Sequence, residues 1–162
     1  MGFFLRSEPV RLCGSIILNL PTFDIRLRHR SDGSTEVYDT LRRRYVALTP
    51  EEWVRQHFVN YLITVFAYPA SMMANEVGLR LNGTQRRCDT LVYSRDLRPL
   101  AIVEYKRPSV EITSAVFDQI ARYNSVIGAR WLIVSNGLHH YCCRFEDSRY
   151  EFVSAIPRYD AL

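Results

Sequence analysis

Apolar positions along this chain change their spacing several times, and each change marks an element. From Phe23 the run Phe-Asp-Ile-Arg-Leu-Arg alternates apolar and polar side chains, the two-residue period of a half-buried strand. Asp32-Gly33 is a turn pair and Val37-Tyr38 opens a return strand, so residues 23–38 predict a β-hairpin. After Thr49 the period lengthens: Val54, Phe58, Tyr61, Leu62 and Val65 recur at helical spacing. Thr49 is a natural N-cap, Pro50 suits the first helical position, and Glu52 completes a capping box. Tyr68-Pro69 closes this predicted helix. At 100° per residue, Glu51 falls at the edge of the apolar stripe and Glu52 points away from it.

Three strand-like runs follow, at 75–81, 88–93 and 100–105, separated by Asn82-Gly83 and by the polar turn 94–99. A second helix is predicted over 113–127, with Val116, Phe117, Ile120, Tyr123 and Ile127 inward and Gly128 at its end. Trp131–Val134 is continuously apolar, the mark of a strand buried on both faces, and Asn136-Gly137 leads into a last strand at 139–145. The predicted class is α/β (α+β): a mixed sheet flanked by helices in the order α-β-β-β-α-β, with an N-terminal accessory hairpin. Residues 1–48 are expected to form an extension and hairpin packed on a core at 49–150, with 151–162 as a tail. Residues 1–20, apolar and irregular, read as an extension or an edge strand.

With 162 residues, 48% of them hydrophobic and only 7 Gly and 7 Pro, the chain can bury a core, which excludes disordered and collagen-like classes. No apolar run reaches the length of a membrane span. Arg6, Glu8 and Arg11 interrupt the N-terminal apolar stretch before it makes a signal peptide, so a cytoplasmic protein is expected. A net charge of +4 fits an acidic partner such as nucleic acid. Of the 21 basic residues only Lys106 is a lysine. Lysine offers a compact ammonium whose pKa can be shifted, which arginine does not.

The four cysteines, at 13, 88, 142 and 143, show no CxxC spacing. His139 and His140 precede the last two, and together they raise a zinc reading. Neighbouring side chains of a strand point to opposite faces, however, so reduced thiols in an apolar strand are the expectation.

The sharper chemistry lies at Asp89, Glu104 and Lys106. If the turn centres between Asp96 and Leu97, antiparallel pairing sets Asp89 opposite Glu104, and Lys106 shares the face of Glu104. Two carboxylates opposite each other on a sheet repel, and a hard divalent cation such as Mg²⁺ or Mn²⁺ between them removes the penalty. The Lys106 ammonium beside it could orient an attacking water, which makes a constellation for phosphodiester hydrolysis. The alternative is a polar hairpin face on which Glu104 and Lys106 merely offset each other. Against that, Ala101-Ile102-Val103 is apolar, and charge at the end of a buried strand is costly without a purpose.

The segments Cys88-Asp89-Thr-Leu-Val-Tyr and Ile102-Val-Glu104-Tyr-Lys106-Arg-Pro resemble the PD-(D/E)xK nuclease signature, with Cys88 where the signature has Pro. With Leu48-Thr-Pro-Glu-Glu-Trp-Val-Arg-Gln56, Tyr68-Pro69, Asp118-Gln-Ile-Ala-Arg-Tyr-Asn124 and Ser135-Asn-Gly137, the chain over about 20–145 resembles the N-terminal nuclease domain of type I restriction enzyme R subunits. The resemblance implies a restriction-endonuclease-like core in which Asp89 and Glu104 bind metal and Lys106 serves the water. It also implies Glu51 as an acidic residue from the first helix and Gln119 and Tyr123 as a Gln-x-x-x-Tyr motif. Read without it, Glu51 is helix N-terminal charge compensation and the Gln119/Tyr123 pair is ordinary helix packing.

Such a domain implies DNA as substrate, gripped at Arg86, Arg87 and Arg107 and at Arg42, Arg43 and Arg44, a triplet that reads equally as a solvated loop. Motor, specificity or modification subunits of a restriction system and a homodimer are further expected partners. No GxxxxGK[ST] occurs, so an ATP motor is not encoded here. The competing functional class is a non-catalytic DNA-binding or assembly module that keeps the nuclease fold.

Overall fold

The computed structural model describes residues 17–147 and 149–162. Expectations for residues 1–16, Cys13 included, lie outside the described residues. Three strands, β1 (Leu27–His29), β2 (Thr35–Asp39) and β3 (Arg44–Ala47), form an antiparallel meander. The predicted hairpin is its first half, with Leu27 opposite Val37. Its third strand, read from sequence as a basic loop, begins at Arg44 and sets Val46 opposite Val37. Arg43, at φ 52, makes the left-handed turn before it.

Helix α1 (Pro50–Thr64) has its predicted N-cap, Thr49 Oγ1 accepting from the Glu52 N–H at 3.0 Å, but the Glu52 carboxylate turns to Arg42, Arg55 and Gln56 and does not close the expected capping box. The helix stops four residues before Tyr68: Ala67 takes the left-handed conformation and the Tyr68 N–H returns to the Leu62 carbonyl. The main sheet then runs β4 (Met73–Leu81), β5 (Thr84–Tyr93), β6 (Pro99–Tyr105), β7 (Trp131–Ser135), β8 (His140–Glu146) and β9 (Arg149–Val153), hydrogen-bonded in that order. Asn82 and Gly83, both at positive φ, form the two-residue turn between β4 and β5. All neighbours are antiparallel except β6 and β7, which α2 (Ser114–Ile127) joins by a crossover. The sheet is therefore mixed and flanked by two helices. The boundary expected at 150 falls inside β9, and the segment beyond it packs on the core. Tyr159 Oη donates to the Tyr93 carbonyl, and the Pro157 carbonyl accepts from Tyr68 Oη.

Each face of the sheet carries its own core. Val54, Phe58 and Leu62 of α1 pack on Val103, Tyr105, Ile133 and Cys142, whereas Val116 and Ile120 of α2 pack on Ile102, Leu132, Val134 and Cys143. Cys142 and Cys143 thus enter opposite cores, which places them apart as the strand alternation predicts. His140 is engaged elsewhere, between the Ser135 hydroxyl and the Asn19 carbonyl.

Candidate active site

Register brings the acidic residues together. Thr90 stands opposite Val103, and continuing that pairing sets Asp89 opposite Glu104, as the turn length predicts. On the other side of β5, Asn75 stands opposite Thr90 and Val77 opposite Cys88, which sets Glu76 opposite Asp89. Three carboxylates therefore form a row across β4, β5 and β6. Glu76 itself sits at φ 57, a left-handed backbone in mid-strand that a residue bearing a Cβ adopts only at a cost. Glu51, half-buried at the start of α1, joins their electrostatic field.

Glu104 is the pivot. Its side chain is buried (5% exposed); Oε1 accepts from Lys106 Nζ at 3.0 Å, and Oε2 has no partner at all. Burial, then the Asp89 charge, pushes its carboxyl up to about 7 against the pull of Lys106. Burial likewise raises the Asp89 carboxyl, with Glu76 adding to the shift and the Arg55 guanidinium and Tyr105 N–H opposing it. Burial and Asp89 raise Glu51 as well. Lys106 is the counterpart: burial favours its neutral form, but Glu104, Asp89 and Glu51 outweigh that and hold it charged.

A buried, unpartnered carboxylate oxygen inside a field of like charge fits a hard divalent cation, which accepts oxygen ligands and removes the repulsion. Among the described residues, no three His, Cys, Asp or Glu side chains close around one point tightly enough to enclose an ion. Two carboxylates would suit Mg²⁺, which takes one or two protein carboxylates and keeps several waters.

The carboxylate row is braced from α1, by residues the sequence reading passed over. Arg55 Nη2 lies 2.9 Å from Glu76 Oε1 and 3.1 Å from Asp89 Oδ1, while the Tyr105 N–H donates to Asp89 Oδ2 at 2.8 Å. Arg55 Nη1 bonds Glu52 Oε2 at 2.5 Å. Glu52, expected to face away from the core, is instead 6% exposed and also takes Arg42 Nη2 and Gln56 Nε2. The apolar stripe misplaced it because the accessory meander covers that side of α1. Arg42 is in turn held by Asp39, whose fully buried carboxylate also accepts from Asn75 Nδ2. Asn75 continues through Thr90 to the Tyr105 hydroxyl. The signal available in sequence was spacing, since Arg55 is three residues from Glu52 and four from Glu51.

The other expected residues divide by position. An open cleft of about 900 Å³ is lined by Arg42, Arg44, Arg80, Arg86, Arg87, Glu76, Gly78, Leu79, Gln85 and Tyr123. Arg86 and Arg87 are exposed there, and Arg87 Nη1 also reaches Glu76 Oε2 at 3.3 Å. Arg42 contributes to the wall but is committed to its two carboxylates. Arg43 and Arg107 are exposed and not part of the cleft lining. Gln119 Nε2 donates to Tyr123 Oη at 2.9 Å, so these two act as a pair whose tyrosine reaches the cleft.

The family model described as type I restriction enzyme R protein N terminus (HSDR_N) matches residues 50–157. No curated protein matches the chain. Among solved structures, the fragment structure of a putative HsdR subunit of a type I restriction enzyme from Vibrio vulnificus YJ016 shares the fold, at 19% identity and a TM-score of 0.53. The likeness covers 71% of this chain and 24% of that one, so the chain spans about a quarter of that relative's length.

Proposed function

Because the chain belongs to the type I restriction enzyme R protein N-terminal family, we propose that it is a metal-dependent endonuclease domain of the PD-(D/E)xK kind, hydrolysing DNA phosphodiester bonds. One observation carries this reading: the buried Glu104 carboxylate has an oxygen with no partner, faces Asp89 across two strands and is followed two residues on by the lone lysine. Asp89 and Glu104 would hold Mg²⁺ or Mn²⁺, with Glu51, which feels the Asp89 charge, as a further acidic group at the site. The ion, when bound, supplies Lewis acidity toward a phosphoryl oxygen and acidifies a bound water.

The remaining steps belong to the chain's own groups. Lys106, kept charged by its carboxylate neighbours, orients the attacking water and faces the charge that grows on the phosphoryl oxygens. The Tyr105 N–H and Arg55 fix the rotamer of Asp89. With no P-loop in this sequence, motor, specificity or modification subunits are the proposed partners for any ATP-driven step.

The Arg55–Asp89 ion pair favours a second reading, a DNA-binding or assembly module in which the guanidinium stands where an ion would. Cleavage of supercoiled plasmid with Mg²⁺ or Mn²⁺, run beside Glu104→Ala, separates the two. Nicking or linearisation by the wild-type chain alone is expected. Absence of cleavage together with no Mn²⁺-linked rise in Tm leaves the assembly module.

A further inference from the structure

The arginines of the cleft come from two sheets. Arg44 opens β3 of the accessory meander; Arg80, Arg86 and Arg87 lie on the β4–β5 hairpin, where Arg80 stands opposite Gln85 and Leu79 opposite Arg86. Arg44, Arg80 and Arg86 are exposed and make no ion pair among the described residues. The one acid lining the cleft, Glu76, is taken up by Arg55 and Arg87, and through Arg55 it is tied to Asp89. The opposing wall keeps its place because Arg42 is anchored to Asp39 and Glu52. Gly78, opposite Arg87 on the ribbon, lines the cleft and puts no side chain into it. The unpaired guanidinium groups of Arg44, Arg80 and Arg86 line this open cleft together with Glu76 of the carboxylate row, which suits phosphates that run toward the row.

We propose that the cleft between the accessory meander and the β4–β5 hairpin holds the phosphate backbone of duplex DNA through Arg44, Arg80 and Arg86, delivering it to the Asp89–Glu104 site. The meander is then part of the DNA grip and not only a cover for α1. Arg107 and Arg43 lie outside it. This inference rests on the nuclease reading for its substrate, but contact with phosphate requires no metal and no cleavage. The grip is made by charge, so it is indifferent to base sequence and steeply salt-dependent.

The test is binding of the full chain to a fluorescent DNA duplex in EDTA, measured by anisotropy across a salt series. Each of Arg44→Ala, Arg80→Ala and Arg86→Ala should lower the slope of log K against log salt by about 1, equally for unrelated duplex sequences. Arg98→Ala, in the turn between β5 and β6, removes the same charge away from the cleft and should leave the slope at the wild-type value. An unchanged Tm for the three exposed-site variants separates lost contact from lost fold. Slopes that stay at wild type in all three, or a wild-type chain that binds no duplex, overturn the proposal. Reduced slopes in a protein that never cuts sustain the grip and remove the nuclease, and Mn²⁺-dependent cutting with unchanged slopes does the reverse.

Discussion

Helices α1 and α2 cover opposite faces of one sheet, yet their buried sides are built from different chemistry. Toward the sheet, α2 presents Val116, Ile120 and Tyr123, and its single buried amide, Asn124, is satisfied locally by the Ala129 backbone. The C-terminal half of α1 is similar, with Phe58, Val59 and Leu62. Its N-terminal half instead buries Glu52, Arg55 and Gln56, each hydrogen-bonded to another charged or polar side chain. Apolar residues of similar volume there would cost no desolvation, and a buried ion pair is weak evidence of stability. The polar half of α1 makes sense as scaffolding for the carboxylate row, where Arg55 reaches Asp89 and Glu76. The contrast shows that position in the fold, and not helix type, decides which face must be apolar.

The comparison can be broken most severely at the reaction itself. Lys106→Ala should reduce plasmid cleavage by at least about 10²–10³-fold, the scale for removing one preorganised electrostatic group, with an unchanged circular dichroism spectrum. Next comes the polar face of α1. Arg55→Ala removes the guanidinium shared by buried Glu52, Asp89 and Glu76 and should cost about 3–5 kcal/mol in urea unfolding. A second change, Glu52→Gln, should restore part of that loss. The matched change on α2, Ile120→Ala, should cost about 2–5 kcal/mol through a cavity, and no polar substitution nearby should restore it. Equal behaviour of the two helices in the double variants would erase the distinction.

A pH series sharpens the same contrast. Glu104 holds its proton in the folded chain up to about 7, whereas an ordinary glutamate with a pKa of 4.5 has released it. Between those values the unfolded chain binds fewer protons, so the metal-free protein loses stability as pH rises, by at most about 1.4 kcal/mol per pH unit from this group. Glu104→Gln should flatten that decline. The smallest effect is at the helix starts. Thr49→Ala should cost about 1 kcal/mol because its hydroxyl caps α1. Thr113→Ala should cost far less, since the Thr113 side chain makes no capping bond.

Much of the site could be read from the chain. The Asp89–Glu104 pairing followed from one turn, because antiparallel register is fixed once the turn is placed. The start of α1 at Thr49 and the end of α2 at Gly128, at φ 72, followed from local chemistry. The Asn82-Gly83 turn sets Glu76 opposite Asp89 by the same logic, but the left-handed conformation of Glu76 could not be read, since no turn signal announces it. Arg55 and Glu52 were invisible for a related reason: a helical wheel knows one partner surface, and α1 has two, the sheet and the meander. β9 escaped because Arg149–Val153 is a mostly exposed edge strand with little apolar signal.

By itself, then, the sequence determined where most elements begin and turn, that the Trp131–Val134 strand is buried on both faces, and that two carboxylates and the one lysine share a sheet face. Those properties are set by neighbours within a few residues. Tertiary structure alone decided that Arg55 bridges Glu76 and Asp89, and that arginines distant in sequence form one cleft. Such features arise where separate elements meet, and the energy of a charge there depends on its partners and burial more than on its own identity.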